Sequence, residues 1–362
     1  MNLRFPGLLI LILLASPLAC SSAAHSTKSD ADEAADVTRG MHDSIGAELA
    51  GLRRAAADLR DAAPLTQGRG WDETADAAAL AAMREAWQRA RTAYEHVEGA
   101  VAPIFPDIDA SIDARYDDFL AALGGQGDTA LFDDQGVTGM HALERILYAP
   151  RTPARTKDFE RTLPGYVAAA YPSTAAEAAD FKNRLATRLV TDVDTLIAQW
   201  QPAKIDLASS FQGLVALMNE QREKVNKAAT GEEESRYSQR TLADLRGNLA
   251  GTEAIYAIFR PWVVSKTSAA DPAKDGPTCD AAIARGFAAL HAAYDANAGD
   301  AIPETPASWS SQAPLAGDLA TPFGQLFVTV QSAVDPTRAG SVVDEMNHEA
   351  ALLGFPRFVE SP

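Results

Sequence analysis

Gly139-Met140-His141-Ala142-Leu143-Glu144-Arg145-Ile146-Leu147 can be laid on Gly251-Thr252-Glu253-Ala254-Ile255-Tyr256-Ala257-Ile258-Phe259, and a proline ends each stretch, Pro150 in one and Pro261 in the other. Both read as helices stopped by a residue that has no backbone N–H and restricts the chain before it. Glu95-His96-Val97-Glu98 has a similar counterpart in Glu220-Gln221-Arg222-Glu223. A helical unit used twice is the expected organisation, with the second half starting near Lys204.

Composition agrees with a helical protein. Hydrophobic residues make up 47% of the 362, aromatics only 7%, and runs such as Ala77-Ala78-Ala79-Leu80-Ala81-Ala82 suit helix far better than strand. The formal net charge of -17 leaves no basic stripe for phosphates, which excludes nucleic acid as a partner and favours cations over anions. The two cysteines, Cys20 and Cys279, cannot make a disulfide framework and neither has a CxxC neighbour. Residues 1–20 read as a targeting segment. Arg4 gives the positive start, Leu8 to Ala15 the apolar run and Leu18-Ala19-Cys20 the processing site. The expectation is a bacterial lipoprotein cleaved before Cys20 and lipidated on it, with plain secretion as the alternative. Residues 21–36 lack apolar periodicity and read as a flexible tether. Cys279 is expected to be a packing or loop residue.

From Val37 onward the apolar period is helical. Ile45, Leu49, Leu52, Ala56 and Leu59 mark a first helix up to Pro64, and Leu80, Met83, Trp87, Ala90, Tyr94 and Val97 a second from about Thr74 to Gly99. Pro103 and Pro106 then break the pattern, so 107–113 reads as an acid-rich irregular connection, with helix resuming near Asp113 and ending at Gly124-Gly125. Further helices are expected at about 137–148, 159–170, 175–199, 207–228, 241–260, 279–296, 315–332 and 341–353. Thr241-Leu242-Ala243-Asp244 looks like a capping box for the helix it opens.

Chemistry concentrates on a few acids and one histidine. His141 and Glu144 stand three apart, so a helix presents both on one face, where an imidazole nitrogen and a carboxylate can meet one ion. Glu95 and Glu98 repeat that spacing, and two carboxylates side by side ask for a cation or a proton between them. Asp107, Asp109, Ser111 and Asp113 alternate like a calcium loop. Ile112 stands where the loop needs glycine, however, and Asp118 where it needs a bidentate glutamate. That excludes an EF-hand; Asp residues in such a stretch ordinarily cap a helix or make a turn, and Asp113 is the one singled out as a possible ligand. H-E-x-x-H, GxSxG, a Walker loop and GxGxxG are all absent from the sequence.

Three runs taken together, Tyr94-Glu95-His96-Val97-Glu98, residues 107–115 and Gly139-Met140-His141-Ala142-Leu143-Glu144, resemble the imelysin-like family and, within it, the EfeO-type periplasmic proteins of bacterial iron uptake. The later runs 230–238, 248–253 and Phe259-Arg260-Pro261 resemble it too. The resemblance implies an all-α fold of two antiparallel four-helix-bundle halves, about 37–203 and 204–362, in one helical domain. By position it implies a metal site of Glu95, Glu98, Asp113, His141 and Glu144, with Glu223 as a further ligand. Oxygen-rich ligation with one imidazole suits Fe3+, with zinc or copper as alternatives. It further implies a periplasm-facing component, anchored to the membrane through Cys20, that captures iron for a permease. A shorter form without the cupredoxin domain of many relatives is expected. Gln239 and Arg240 depart from the family's His-Thr after Tyr-Ser. Two other functions belong to the same resemblance. One is a metallopeptidase with Glu144 as base. The other is binding of acidic polysaccharide, for which Arg115, Arg145 and Arg236 would line a cleft. In the second-half copy Glu253 and Tyr256 replace His141 and Glu144, so one principal site is expected, near His141.

Overall fold

The structure is a computed structural model that describes residues 28–268 and 270–359. Its first half runs through α1 (Asp30–Ala62), α2 (Ala77–Glu95), α3 (Glu98–Val101), α4 (Pro106–Asp113), α5 (Tyr116–Ala122), α6 (Gly139–Leu147), α7 (Ala154–Glu160), α8 (Ala175–Asp180) and α9 (Ala186–Trp200). Then follow α10 (Leu207–Lys227), α11 (Thr241–Val264), α12 (Gly276–Asp295), α13 (Ala316–Leu319), α14 (Pro322–Val334) and α15 (Val342–Leu352). The protein is all-α, with no strand among the described residues.

Helices α1, α2, α6 and α9 pack around one core, each against the next. In the second half α10, α11 and α12 form three sides of another bundle, and α14 and α15 lie together along the fourth. The halves meet where α11 lies against α1 and α2, and α10 against α3. At that seam Gly251 lets α11 approach the backbone of His96 so closely that a Cβ would have no room.

The core follows the apolar stripes. On α1 the buried face is Val37, Met41, Ile45, Leu49, Leu52, Ala56 and Leu59, the three-and-four spacing of one helix face. On α2 it holds Leu80, Met83, Trp87, Ala90 and Tyr94, but also Arg84, Arg91 and Glu95. Helix α6 is buried along its whole length, charged residues included. Its first turn is fixed by Trp87, whose indole N–H donates to the carbonyl of Met140 at 2.9 Å.

Several boundaries differ from the sequence expectation. Residues 30–36, read as tether, are the first turns of α1. Ser29 caps the helix, its hydroxyl accepting from the Asp32 N–H at 3.2 Å while Asp32 accepts from the Ser29 N–H at 3.3 Å. Asp30 also accepts from the indole N–H of Trp262 at 3.2 Å, tying that turn to α11. The leader, Cys20 and the rest of the tether up to residue 27 lie outside the described residues. The acidic stretch 107–113 is helical, because Pro106 stands in the first turn, where its missing N–H is not needed. The helix expected at 159–170 ends at Glu160 instead. Beyond it Val167 exchanges hydrogen bonds with the Tyr116 hydroxyl, which accepts from its N–H at 2.8 Å and donates to its carbonyl at 3.3 Å. Pro261 does not stop α11, which continues through one more turn in which Trp262 and Val263 are buried. Thr241 and Asp244 form no capping box. Their side chains hold Ser235 instead, Thr241 Oγ1 accepting from its N–H at 3.1 Å and Asp244 from its hydroxyl at 2.5 Å.

Gly139 opens α6 with φ +81, and an added Cβ would meet the carbonyl oxygens of Ile112 and Ser111 at 2.6 and 2.7 Å. Gly139→Ala is expected to lower stability by about 1–3 kcal/mol or more, from left-handed strain plus the clash. Urea unfolding followed by helical circular dichroism measures it, and a midpoint equal to that of the parent protein would contradict the packing of α6 on α4.

Candidate metal centre

Asp113 is the last residue of α4, His141 lies in the first turn of α6, and Glu234 belongs to the loop 228–240 between α10 and α11. Oδ1 of Asp113 and Oε1 of Glu234 each lie 3.5 Å from Nε2 of His141. The ring is 1% exposed, and its Nε2 has no hydrogen-bond partner. One imidazole nitrogen and two carboxylate oxygens thus converge within 4.8 Å of one another. A buried polar atom without a partner is costly unless a ligand satisfies it. Oxygen-rich donors with one imidazole suit a hard or borderline cation.

Glu144 stands behind the ring. Its Oε2 faces Nδ1 of His141 at 3.1 Å, and its Oε1 accepts from the backbone N–H groups of Tyr237 and Ser238 at 3.2 and 2.8 Å. Three apart on the helix, the two residues therefore meet each other instead of facing one ion together. Glu144 orients the imidazole and leaves Nε2 to face the acids, the usual support of a metal-bound histidine.

The guanidinium of Arg91 lies among the acids. Its side chain is 2% exposed and contacts Asp113 and Glu95 closely, Glu234 at 3.0 Å and Asp244 at 3.6 Å. Lys224 carries the second buried cation, its Nζ 3.4 Å from Glu234, 3.7 Å from Glu98 and 3.1 Å from Oδ1 of Asn248. The Asn248 amide donates to Glu98 at 2.9 Å and closely to Glu95. Glu95 and Glu98 thus lie beyond the two cations, held by Arg91, Lys224 and Asn248, and not beside His141. Glu223 is half exposed and pairs with Lys227 on the rim of a cleft of about 280 Å³. Glu98, Asp113, Arg115, Glu220, Lys224 and Glu234 also line this cleft, which gives the site an opening to solvent.

Electrostatics follow from burial and these contacts. Burial, against the pull of Arg91 and His141, pushes Asp113 up to about 7. Burial would raise Glu234 as well, but Lys224, His141 and Arg91 hold it well below the ordinary range. Burial and Arg91 work against the imidazolium of His141, yet Glu144, Glu234 and Asp113 raise it to about 9. Lys224 loses hydration by burial, and Glu234, Glu98 and Glu95 still hold it well above the usual lysine range.

Glu234 and Arg91 carry the site and were not singled out in the sequence. Glu234 sits in the run Thr230-Gly231-Glu232-Glu233-Glu234, where neighbouring acids look alike. Arg91 did leave a signal, a guanidinium in phase with Trp87 and Tyr94 on the buried stripe of α2. Arg145 and Arg236 are buried, Arg145 on Glu160 at 3.1 Å and Arg236 on Asp117 at 2.8 Å. Of the three arginines considered for polysaccharide, Arg115 is the one that lines the cleft. His96, the remaining histidine beside the Glu95/Glu98 pair, turns away to Glu48 at 3.3 Å.

The family described as Peptidase_M75, imelysin, matches residues 47–308, and the chain belongs to it. Among similar proteins, the iron uptake system component EfeM of Pseudomonas syringae pv. syringae is 29% identical over 190 residues, covering 52% of this chain and 53% of that one. The iron uptake system component EfeO of Yersinia pseudotuberculosis is 28% identical over 197 residues, covering 54% of this chain and 42% of that one. The chain thus spans about half the length of the curated relatives it matches. An imelysin-like protein from Psychrobacter arcticum superposes with a TM-score of 0.56 at 14% identity, over 92% of this chain and 99% of that one, so the two share a fold.

The second-half copy carries different chemistry. Glu253 is half exposed and accepts from His291 at 2.9 Å, while the hydroxyl of Tyr256 lies 2.7 Å from Oε1 of Glu349 and 3.2 Å from Asp280. Glu349 is fully buried, and burial, only partly countered by its hydrogen bond to Tyr256, holds its carboxyl well above the ordinary range. A carboxyl raised in the folded state binds its proton there more tightly than in the unfolded chain. Its stabilising effect is therefore complete below the ordinary carboxylate range and is lost as pH rises from there towards the folded value. Glu349→Gln is expected to flatten the pH dependence of the thermal midpoint across that window and to raise the midpoint at pH 8 relative to the parent protein. Parallel melting curves from pH 4 to 8 measure this, and unchanged pH dependence in the variant would refute it.

Proposed function

We propose that this protein captures ferric iron at Asp113, His141 and Glu234 and hands it to a membrane permease. Support comes chiefly from one observation, the buried Nε2 of His141, which makes no hydrogen bond and faces two carboxylate oxygens at 3.5 Å. Carboxylate-rich donors with a single imidazole favour Fe3+ over copper or a structural zinc. The iron uptake components among its relatives point to the same cargo. In this proposal the protein works in the periplasm, tethered through a lipid on Cys20. No helix among the described residues is long and apolar enough to cross a membrane.

Each residue then has a task. Asp113 and Glu234 would supply the anionic oxygens and His141 the nitrogen. Glu144, fixed by the Tyr237 and Ser238 amides, would hold the ring in place and take no part in hydrolysis, since both its oxygens are occupied. That engagement weighs against Glu144 as a peptidase base. The cleft lined by Glu98, Glu220 and Glu234 would draw cations towards the site. Capture replaces a proton on His141, so affinity falls on acidification.

Titration of the purified protein with ferric citrate tests the assignment. His141→Ala and Glu234→Gln are expected to abolish measurable binding, and Glu144→Gln to weaken it by about 10–100-fold. Glu223→Gln, on an exposed pair, should stay within about twofold of the parent protein. Ferric binding that persists in both His141→Ala and Glu234→Gln refutes the assignment.

A further inference from the structure

Arg91 reaches the oxygens that a cation at His141 would need. Its Nη2 lies 3.0 Å from Oε1 of Glu234, the oxygen that faces Nε2 of His141, and its Nη1 is in close contact with Oδ1 of Asp113, the other oxygen that does so. The guanidinium carries a permanent charge, is buried and cannot lose its proton. A metal ion binding those two oxygens therefore meets a fixed positive charge in contact with its own ligands. Arg91 also touches two carboxylates that do not face His141, Glu95 and Asp244, the latter at 3.6 Å. Its Nε has no hydrogen-bond partner.

We infer that Arg91 is the resident counter-ion of this site, competing with the metal for Asp113 and Glu234 and retiring onto Glu95 and Asp244 when the metal is bound. The inference rests on the metal site proposed above and adds its means of release. With the site empty, the guanidinium neutralises acids that would otherwise be buried together unpaired. With the site filled, Glu95 and Asp244 keep it paired, which gives these two acids a function although neither faces the imidazole. The competition lowers affinity and speeds dissociation, as suits a carrier that must surrender its cargo. Arg91 is thus a positioning and affinity-setting residue that makes no bond to the metal.

A double variant tests this. Arg91→Met combined with Glu95→Gln removes the guanidinium and, of the two acids it touches away from the imidazole, the one it contacts more closely, and leaves Asp113, His141, Glu144 and Glu234 in place. The full chain is titrated with ferric citrate and, in parallel, zinc chloride, and dissociation is timed by chelator chase. The expected result is binding at least about tenfold tighter than in the parent protein, with most of the gain in slower release. Arg91→Lys is the second variant. It keeps the charge and the fold but grips one carboxylate where the fork grips two, and a gain of about threefold to tenfold is expected. Should the double variant fail to fold, Arg91→Lys alone decides. Metal binding that depends on His141 but is equal or weaker in the folded Arg91 variants overturns the counter-ion role and leaves the metal site standing. If neither the parent protein nor the variants bind either metal, the metal site itself falls, and the counter-ion role with it.

Discussion

Carboxylates buried together must be paired with positive charge or take up a proton. Glu95, Asp113, Glu234 and Asp244 are all nearly removed from water, and they converge on the single guanidinium of Arg91. Removing one partner of such a cluster strands the rest in a poorly polarisable interior, a loss that can reach about 3–5 kcal/mol. The four acids come from α2, α4, the 228–240 loop and α11, so the constraint on Arg91 is equally a constraint on how these elements meet. Lys224 and Asn248 extend the same logic across the seam. They bind Glu98 and Glu234 from α10 and α11, and Gln221 carries the chain of polar contacts on to Tyr294 of α12.

The geometry at His141 grows from local rules. A spacing of three on a helix sets the Glu144 carboxylate beside one ring nitrogen, which fixes the ring plane and aims the other nitrogen away. The carboxylate is itself fixed by two amides of the 228–240 loop, and that loop is held by Thr241 and Asp244 through Ser235. Gly139 then permits α6 to start against the end of α4, which brings His141 to Asp113. Each link is a short-range bond, and together they place donors separated by 121 residues of sequence at one point.

The legible parts of the sequence were those written in periodicity and local spacing. The long helices α1, α2, α10 and α12 follow from apolar stripes, and His141 from its motif. Asp113 can be singled out as a possible ligand, but its place beside His141 rests on the family resemblance, because nothing local sets it firmly apart from Asp107 or Asp109. Glu234 lies in a run of three glutamates, and which of them faces inward depends on how the loop folds, not on its own neighbours. Arg91 was overlooked because a charged residue in an apolar stripe looks like the stripe's edge, whereas its burial reflects four acids contributed from elsewhere. Two of the misplaced boundaries share a cause. Pro106 begins a helix and Pro261 lies inside one, so proline restricts a position without dictating which side of it is helical. The segment after Glu160 is held by Tyr116 and Arg145, contacts made from more than twenty residues away.

The two halves put matching segments to different uses, and the reason lies in their surroundings. His141 faces the seam, where the loop from the second half delivers Glu234 and the amides that hold Glu144. Glu253, laid on the same position, faces outward to His291, and its partner Tyr256 turns a neutral hydroxyl towards Glu349 and Asp280. A phenol can share a proton with buried acids without bringing charge, and the cation on Asp280, Arg260 at 2.6 Å, stays exposed at the edge of that interior. The seam has charge on both sides and two cations already committed to it. The proposed site draws on both halves: Asp113 and His141 come from one and Glu234 from the other, and the repulsion between the two carboxylates is balanced by Arg91 from the first and Lys224 from the second. On the proposed assignment, cation capture at this place would be coupled to the packing of one half on the other, in a way that a site built inside either bundle would not be.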